Sequence, residues 1–311
     1  MIKTALLFAG QGAQVVGMGK DLAERFPTAR RWFEQANGVL GYDLTTICFK
    51  GPENELLKTE NAQPGIFLVS WICLQVIQES LPAFAFEATA GLSLGEFTAL
   101  AAAGALNFED GLRLVRLRGR FMQQACEATQ GGMAAIIGLD EVATAEVCGQ
   151  AGVVLANLNC PGQLVISGET EKIAQACELA TAKGARRALP LPVAGAYHSP
   201  LMASAQPLLE AELKRVSLSS PRVCVISNVT AQPHGEPDSI RTRLVEQITA
   251  PVRWEESMRY LLPQGYTRFI ELGPGTALSG FMKRIDKSAQ MLNVADVASL
   301  ESALKAMAAR S

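Results

Sequence analysis

Short apolar runs alternate along the chain with longer segments whose apolar positions recur at helical spacing. Residues 5–10 form one such run ahead of a helical pattern over 19–36, and residues 88–95 precede an Ala-rich helical pattern from Glu96 to Ala103. A third run, 266–275, leads into a helical pattern over 277–285. A strand buried on both faces reads as a continuous apolar run, and the helix covering it reads with a 3.6-residue period, so the alternation predicts βαβ units and a parallel sheet flanked by helices. The longest apolar stretch, Gly65 to Ile77, is interrupted by Ser70 and Gln75. It is shorter than the roughly 18 apolar residues a membrane span needs, and so predicts a core helix. The N-terminal run stops at Gln11 in a Gly-rich polar turn, which fits a buried strand better than a secretion signal.

The rhythm changes between about Met122 and Val193. Strand patterns at 131–139, 153–159, 163–168 and 185–193 are separated by helical patterns at 141–151 and 170–184, with a tight Cys160-Pro161-Gly162-Gln163 turn between the middle two strands. This βαββαβ order is that of a ferredoxin-like unit. The expected fold class is therefore α/β: a large parallel-sheet domain formed by residues 1–124 and 197–311, with a small α+β subdomain at 125–196 inserted in it.

Composition narrows the function. The 311 residues carry 28 Lys+Arg against 30 Asp+Glu, a net charge of −2, which excludes a broadly basic nucleic-acid surface. Seven cysteines are scattered, odd in number and without a C-x-x-C pair. They predict neither a zinc site nor a disulfide framework, but small core residues of a chain in a reducing cytoplasm. No metal or resident cofactor is expected, no nucleic-acid or membrane partner, and a monomer is the default. With only two histidines, His198 and His234, any imidazole chemistry has few candidates.

Gly91-Leu92-Ser93-Leu94-Gly95 has the G-x-S-x-G form and sits between a strand pattern and a helix pattern. That is the setting of a nucleophile elbow, in which flanking glycines let a strained turn present a serine hydroxyl above a helix N-terminus. Ser93 would then be the nucleophile, with the Leu94 N–H available to an oxyanion. A serine hydroxyl needs a base. His234 lies among Pro233, Gly235 and Pro237, a breaker-rich segment expected to be a solvated loop, so His198 is the base candidate by elimination. Arg113, Arg116, Arg118 and Arg120 form a basic helical stripe, read as a solvated face except at Arg118. Gly10-Gln11-Gly12 lacks the third glycine of a dinucleotide fingerprint, Gly19-Lys20 does not complete a P-loop, and Gly273-Pro274-Gly275 reads as a tight turn.

These residues, together with Gly10-Gln11-Gly12-Ala13-Gln14, Arg118-Gly119, Asn157-Leu158-Asn159, Ala196-Tyr197-His198-Ser199-Pro200, Gln247 with Pro251-Val252-Arg253-Trp254, and Glu271-Leu272-Gly273-Pro274-Gly275, resemble the acyl carrier protein malonyltransferase family in order and over nearly the whole chain. The resemblance implies an α/β-hydrolase-like domain with a ferredoxin-like insert. It implies malonyl transfer from malonyl-CoA to acyl carrier protein in fatty-acid or polyketide synthesis, CoA and phosphopantetheine entering as substrate carriers. Carried over residue by residue, it makes Ser93 and His198 catalytic, Gln11 and Leu94 oxyanion donors through their N–H groups, the Gln247 carbonyl the group that orients His198, and Arg118 the ligand of the malonyl carboxylate. Two positions depart from the family pattern: Leu92 stands where the family commonly has His, and Tyr197 stands where malonyl-using relatives often have Phe. Lys183, Arg186, Arg187, Lys283 and Arg284 are candidates to meet CoA phosphates or an acidic carrier. A serine hydrolase and a non-catalytic carrier-binding module are the competing classes; an arginine poised for a carboxylate and an intact Ser93–His198 pair argue against them.

Overall fold

The computed structural model describes residues 2–308. In chain order the first part holds β1 (Lys3–Phe8), α1 (Lys20–Arg25), α2 (Pro27–Leu40), α3 (Leu44–Lys50), α4 (Glu53–Leu57), α5 (Thr59–Ser80), β2 (Ala88–Gly91), α6 (Gly95–Ala102) and α7 (Phe108–Glu127). The middle part holds β3 (Gly131–Ile137), α8 (Glu141–Ala151), β4 (Val154–Cys160), β5 (Gln163–Glu169), α9 (Thr170–Ala182) and β6 (Arg187–Pro190). The chain closes with α10 (Ala205–Leu213), β7 (Cys224–Ile226), α11 (Pro237–Glu246), α12 (Trp254–Leu261), β8 (Tyr266–Leu272), α13 (Ala277–Ile285), β9 (Gln290–Val294) and α14 (Val297–Ala308).

Five strands form a wholly parallel sheet in the order β7-β2-β1-β8-β9. Central β1 is covered on both faces, which is why Ala5, Leu6, Leu7 and Phe8 are all 0% exposed and show no polar alternation. Helix α5 is the expected core helix, but it begins at Thr59, six residues before the apolar stretch, and buries the polar Gln63 and Ser70 as well. Because the sheet is parallel, the loops after β1, β2 and β7 leave adjacent strands at one carboxyl edge, the usual place for a site in an open α/β sheet. Those loops carry Gln11, Ser93 and Asn228.

Strands β3 to β6 make a separate antiparallel sheet in the order β4-β5-β3-β6, as a βαββαβ ferredoxin-like unit requires. Helices α8 and α9 cover it with a core of its own around Ala134, Ile136, Val147, Ile166 and Ile173. A short parallel bridge ties this unit to the large sheet's domain: Leu158 donates to the Val252 carbonyl at 2.9 Å and Val252 donates to Ala156 at 2.8 Å.

The structure corrects one predicted element. The helical pattern over 19–36 is two helices, because Phe26 is extended (φ −117°, ψ 119°) and Pro27, which lacks an N–H, opens α2 instead of continuing α1. All seven cysteines are free thiols, five of them buried. Among the described residues no helix is long and apolar enough to cross a membrane, and no group of three potential metal ligands occurs.

Candidate active site

Ser93 lies between β2 and α6 with φ 53°, a left-handed value that costs any residue with a Cβ. The flanking glycines make the turn possible. A Cβ on Gly91 would stand 1.9 Å from the Gly95 carbonyl carbon, and one on Gly95 would stand 2.2 Å from the Phe8 carbonyl oxygen. Asn228, just after β7, clasps the turn from below: its Oδ1 accepts the Ser93 N–H at 2.6 Å and its Nδ2 donates to the Gly91 carbonyl at 2.7 Å. Leu92 makes no side-chain hydrogen bond here; its side chain packs against the small cluster around Ala88, Ala90 and Trp254 and against Gly10.

The Ser93 Oγ is 2.8 Å from His198 Nε2, and His198 Nδ1 is 2.8 Å from the Gln247 carbonyl oxygen. A carbonyl can only accept, so Nδ1 carries the proton and Nε2 presents its lone pair to the serine hydroxyl. His198 is 3% exposed; burial foremost and then the Arg118 charge push its pKa down to about 4, against a smaller upward pull from the Gln247 and Ala250 backbone. The imidazole is neutral and ready to take a proton at neutral pH.

Arg118 departs from its stripe as expected. Arg113 and Arg120 are exposed and Arg116 lies over the Tyr42 ring, but Arg118 is 1% exposed. Its Nη2 donates to Ser93 Oγ and to Gln247 Oε1, both at 2.9 Å, and its Nη1 donates to Gln63 Oε1 at 2.8 Å. All three acceptors are neutral, Nε has no partner, and no Asp or Glu lies within ion-pair distance among the described residues. Burial foremost lowers its pKa to about 10, against an upward pull from Glu96 behind Gln247, so the guanidinium stays charged with no anion in direct contact. A buried cation with this surplus donor capacity has the chemistry to accept a carboxylate.

The Gly10–Gln11 turn packs on the elbow so closely that a Cβ on Gly10 would stand 2.5 Å from the Leu92 carbonyl oxygen. The backbone N–H groups of Gln11 and Leu94 have no acceptor among the described residues. The Gln11 side chain is held by Gln63 Nε2 at 3.2 Å and reaches Thr59 and Tyr197, both at 3.4 Å, while the Tyr197 and Thr59 hydroxyls pair at 2.9 Å. The hydroxyl that Tyr197 adds over Phe is thereby satisfied next to the Gln11 turn.

His234 is not solvated. Its N–H donates to the Val225 carbonyl at 2.7 Å and Pro233 bridges Ile226, so the breaker-rich loop doubles back across β7 and turns the ring inward. There His234 Nε2 meets Glu96 Oε1 at 2.6 Å, with the two side chains 1% and 0% exposed. Glu96, not the serine, is its partner, and His198 remains the imidazole at Ser93. Gln63, Asn228 and the buried role of Glu96 lie outside what the motifs singled out; Gln63 sits in the polar first turns of α5, ahead of the apolar stretch, and nothing in the sequence marked it.

The remaining candidates sort simply. Gly273 is a turn glycine at φ 112°, and the α13 N-terminus beyond it is already occupied by Glu271, whose carboxyl accepts the Leu278 and Ser279 N–H groups at 3.0 and 2.8 Å. No phosphate cradle is left there. Lys183, Arg186, Arg187, Lys283 and Arg284 lie at the surface, where Lys183 pairs with Glu146 at 2.6 Å and Arg284 spans from α13 to Gln163 at 2.9 Å.

The acyl transferase domain family matches residues 5–306. The malonyl CoA-acyl carrier protein transacylase of Bacillus subtilis is 44% identical over 99% of this chain and 98% of that protein, and the one of Escherichia coli K12 is 42% identical over 92% and 93%. Among solved structures, an acyl carrier protein S-malonyltransferase from Vibrio cholerae superposes with a TM-score of 0.93 at 40% identity, covering 97% of this chain and 99% of that one. A malonyl-transacylase solved in complex with its type II polyketide acyl carrier protein gives 0.94 at 40% identity, covering 98% and 99%. With this agreement along nearly the whole length, in sequence and in fold, the chain belongs to the acyl transferase domain family.

Proposed function

We propose that this acyltransferase moves the malonyl group from malonyl-CoA to the phosphopantetheine thiol of acyl carrier protein through a malonyl-Ser93 ester. The observation that carries the reading is Arg118: a buried guanidinium without an anionic partner, 2.9 Å from the nucleophile. Its planar fork suits the free carboxylate of malonate. The names of the relatives, and the neighbour solved with its carrier protein, support the same donor and acceptor.

The chemistry follows from the geometry. Ser93 Oγ gives its proton to His198 Nε2 as it attacks the thioester carbonyl. The N–H groups of Gln11 and Leu94 receive the tetrahedral oxyanion; one such donor contributes about 2.7–4 kcal/mol to the transition state. The Gln247 carbonyl holds the imidazolium by its Nδ1–H, which a neutral carbonyl does less strongly than a carboxylate. His198 then protonates the departing CoA sulfur, and the carrier thiol attacks the ester by the reverse steps. Binding malonate also changes the base. Its carboxylate offsets the Arg118 charge, one of the two causes that depress the His198 pKa, so the imidazole becomes more basic when substrate arrives. CoA and phosphopantetheine act as substrate carriers in this scheme, with no resident cofactor.

Intact-mass spectrometry tests it directly. Mixing the protein with malonyl-CoA should add one malonyl group on Ser93, and holo carrier protein should then remove it and gain the same mass. An adduct lost to water regardless of the carrier would mean a hydrolase, and no adduct would sink both readings.

A further inference from the structure

Glu96 and His234 have no part in the steps above, yet they form a buried cluster directly beneath the nucleophile. Glu96 Oε2 accepts from Gln247 Nε2 at 2.5 Å and from the Asn228 N–H at 3.1 Å, while Oε1 accepts from His234 Nε2 at 2.6 Å. Each of the first two contacts ends on a group that shapes the site. Asn228 holds the Ser93 N–H. Gln247 holds His198 through its main-chain oxygen, Arg118 through Oε1 at 2.9 Å, and the Ser93 carbonyl through Nε2 at 3.0 Å.

The side-chain amide of Gln247 has one accepting end and one donating end. A guanidinium has donors only, so just the oxygen end can face Arg118; Glu96 and the Ser93 carbonyl have acceptors only on this side, so just the nitrogen end can face them. Turning the amide over would set N–H against N–H at Arg118 and oxygen against two oxygens below. Glu96 therefore joins the Ser93 carbonyl in anchoring the nitrogen end of Gln247, which holds the oxygen end toward the substrate-binding arginine. His234 in turn decides the place of Glu96. Its Nδ1 is buried without a partner, so the bond to Glu96 is the one side-chain hydrogen bond of this ring among the described residues.

We propose that Glu96, held by His234, is a positioning residue for recognition of the acyl donor's carboxylate, acting on Arg118 through the Gln247 amide and on the elbow through Asn228. The proposal rests on the malonyl reading of Arg118. Acetyl transfer makes no use of a carboxylate ligand, so loosening this cluster penalises malonyl transfer more than acetyl transfer. A residue that merely stabilised the fold would lower both alike.

The test compares kcat/KM for malonyl-CoA and acetyl-CoA in the wild type, His234→Leu, His234→Gln and Glu96→Gln, each checked for a cooperative unfolding transition. His234→Leu leaves Glu96 Oε1 unpaired in the interior, and the malonyl-over-acetyl ratio should fall by about tenfold, the range expected when a buried charged group loses a hydrogen bond, with most of the change in KM for malonyl-CoA. His234→Gln keeps a donor and should recover most of that loss. In an Arg118→Ala background, His234→Leu should change the ratio no further. Equal losses with both donors, an undiminished ratio, or full additivity with Arg118→Ala overturns the proposal. If His234→Leu does not fold, the isosteric Glu96→Gln carries the same expectation on the same ratio. A wild type that forms no malonyl adduct on Ser93 overturns the malonyl reading itself; one that does, with unchanged ratios in the variants, overturns only the positioning role.

Discussion

Arg118 shows how much one side chain can decide. If Arg118 holds the donor carboxylate as proposed, replacing it with Ala removes a charge-assisted, two-pronged contact, which should lower kcat/KM for malonyl-CoA by about 10- to 100-fold and leave acetyl-CoA unharmed or improved. Competition between the two donors measures this. The same substitution has a signature in pH. Burial and the Arg118 charge push the His198 pKa down to about 4, so with His198 as the proposed base the acid limb of kcat/KM should lie well below the ordinary histidine value. Removing Arg118 takes away one of the two causes of that depression, so the acid limb for acetyl transfer should move upward, toward neutral pH. An acid limb that stays in place would refute the charge coupling between the two residues. Ser93 and His198 were legible in the sequence because G-x-S-x-G is a local pattern and histidines are scarce. His234 was not: its neighbours are turn formers that spell a surface loop, and what pulls the ring inside is Glu96, distant in sequence. Gln63 and Asn228 escaped for a related reason, since neutral amides carry no charge pattern and only their bonding partners reveal them.

At the scale of elements, the elbow depends on strand and helix backbones coming closer than a methyl group permits. A Cβ on Gly95 meets the Phe8 carbonyl at 2.2 Å, and Phe8 is itself buried in the central β1, so neither side can give way cheaply. Gly95→Ala should therefore destabilise the protein by about 3 kcal/mol or more, in the range of severe core overpacking, seen as a lower urea midpoint at unchanged slope. Gly149→Ala makes a control: a methyl added there would meet nothing within 4 Å, the position lies within helix α8, and the change should be neutral or slightly stabilising. Long elements were readable because burial on both faces writes a continuous apolar run for β1 and β2, and the ferredoxin-like order follows from spacing alone. The edge strands β7 and β9 were not readable. Cys224–Ile226 is three residues long, in an apolar run too short to stand out, and Gln290–Val294 is only partly buried and broken by Asn293; both become strands because β2 and β8 offer them a free edge. The break between α1 and α2 was visible as Pro27, but the apolar periodicity runs through it.

For the molecule as a whole, the site is a thermodynamic burden that pH exposes. The parallel sheet, the elbow and α7 together enclose His198 in its neutral form, with a folded pKa of about 4 against about 6.5 for an unfolded histidine. Between those values the unfolded chain binds a proton that the folded chain refuses, so folding stability falls as pH drops through that window. Above pH 6.5 the contribution is fully present; below 4 it is lost, and the difference is on the order of a few kcal/mol. Glu271 works in the opposite sense. Burial raises its carboxyl above the ordinary value, so the folded state is relatively favoured as pH falls through that range. The total pH profile therefore mixes both signs, and the share of His198 is isolated by comparing the wild type with His198→Gln. Both proteins should be unfolded with urea at pH 7.5 and at pH 5. The wild type should lose more stability on acidification than the variant, because only the wild type carries the His198 imidazole, whereas the buried His234 is common to both. Equal losses in the two proteins would mean that His198 titrates in the folded state at its ordinary value, and the neutral-base picture of the site would fall with it.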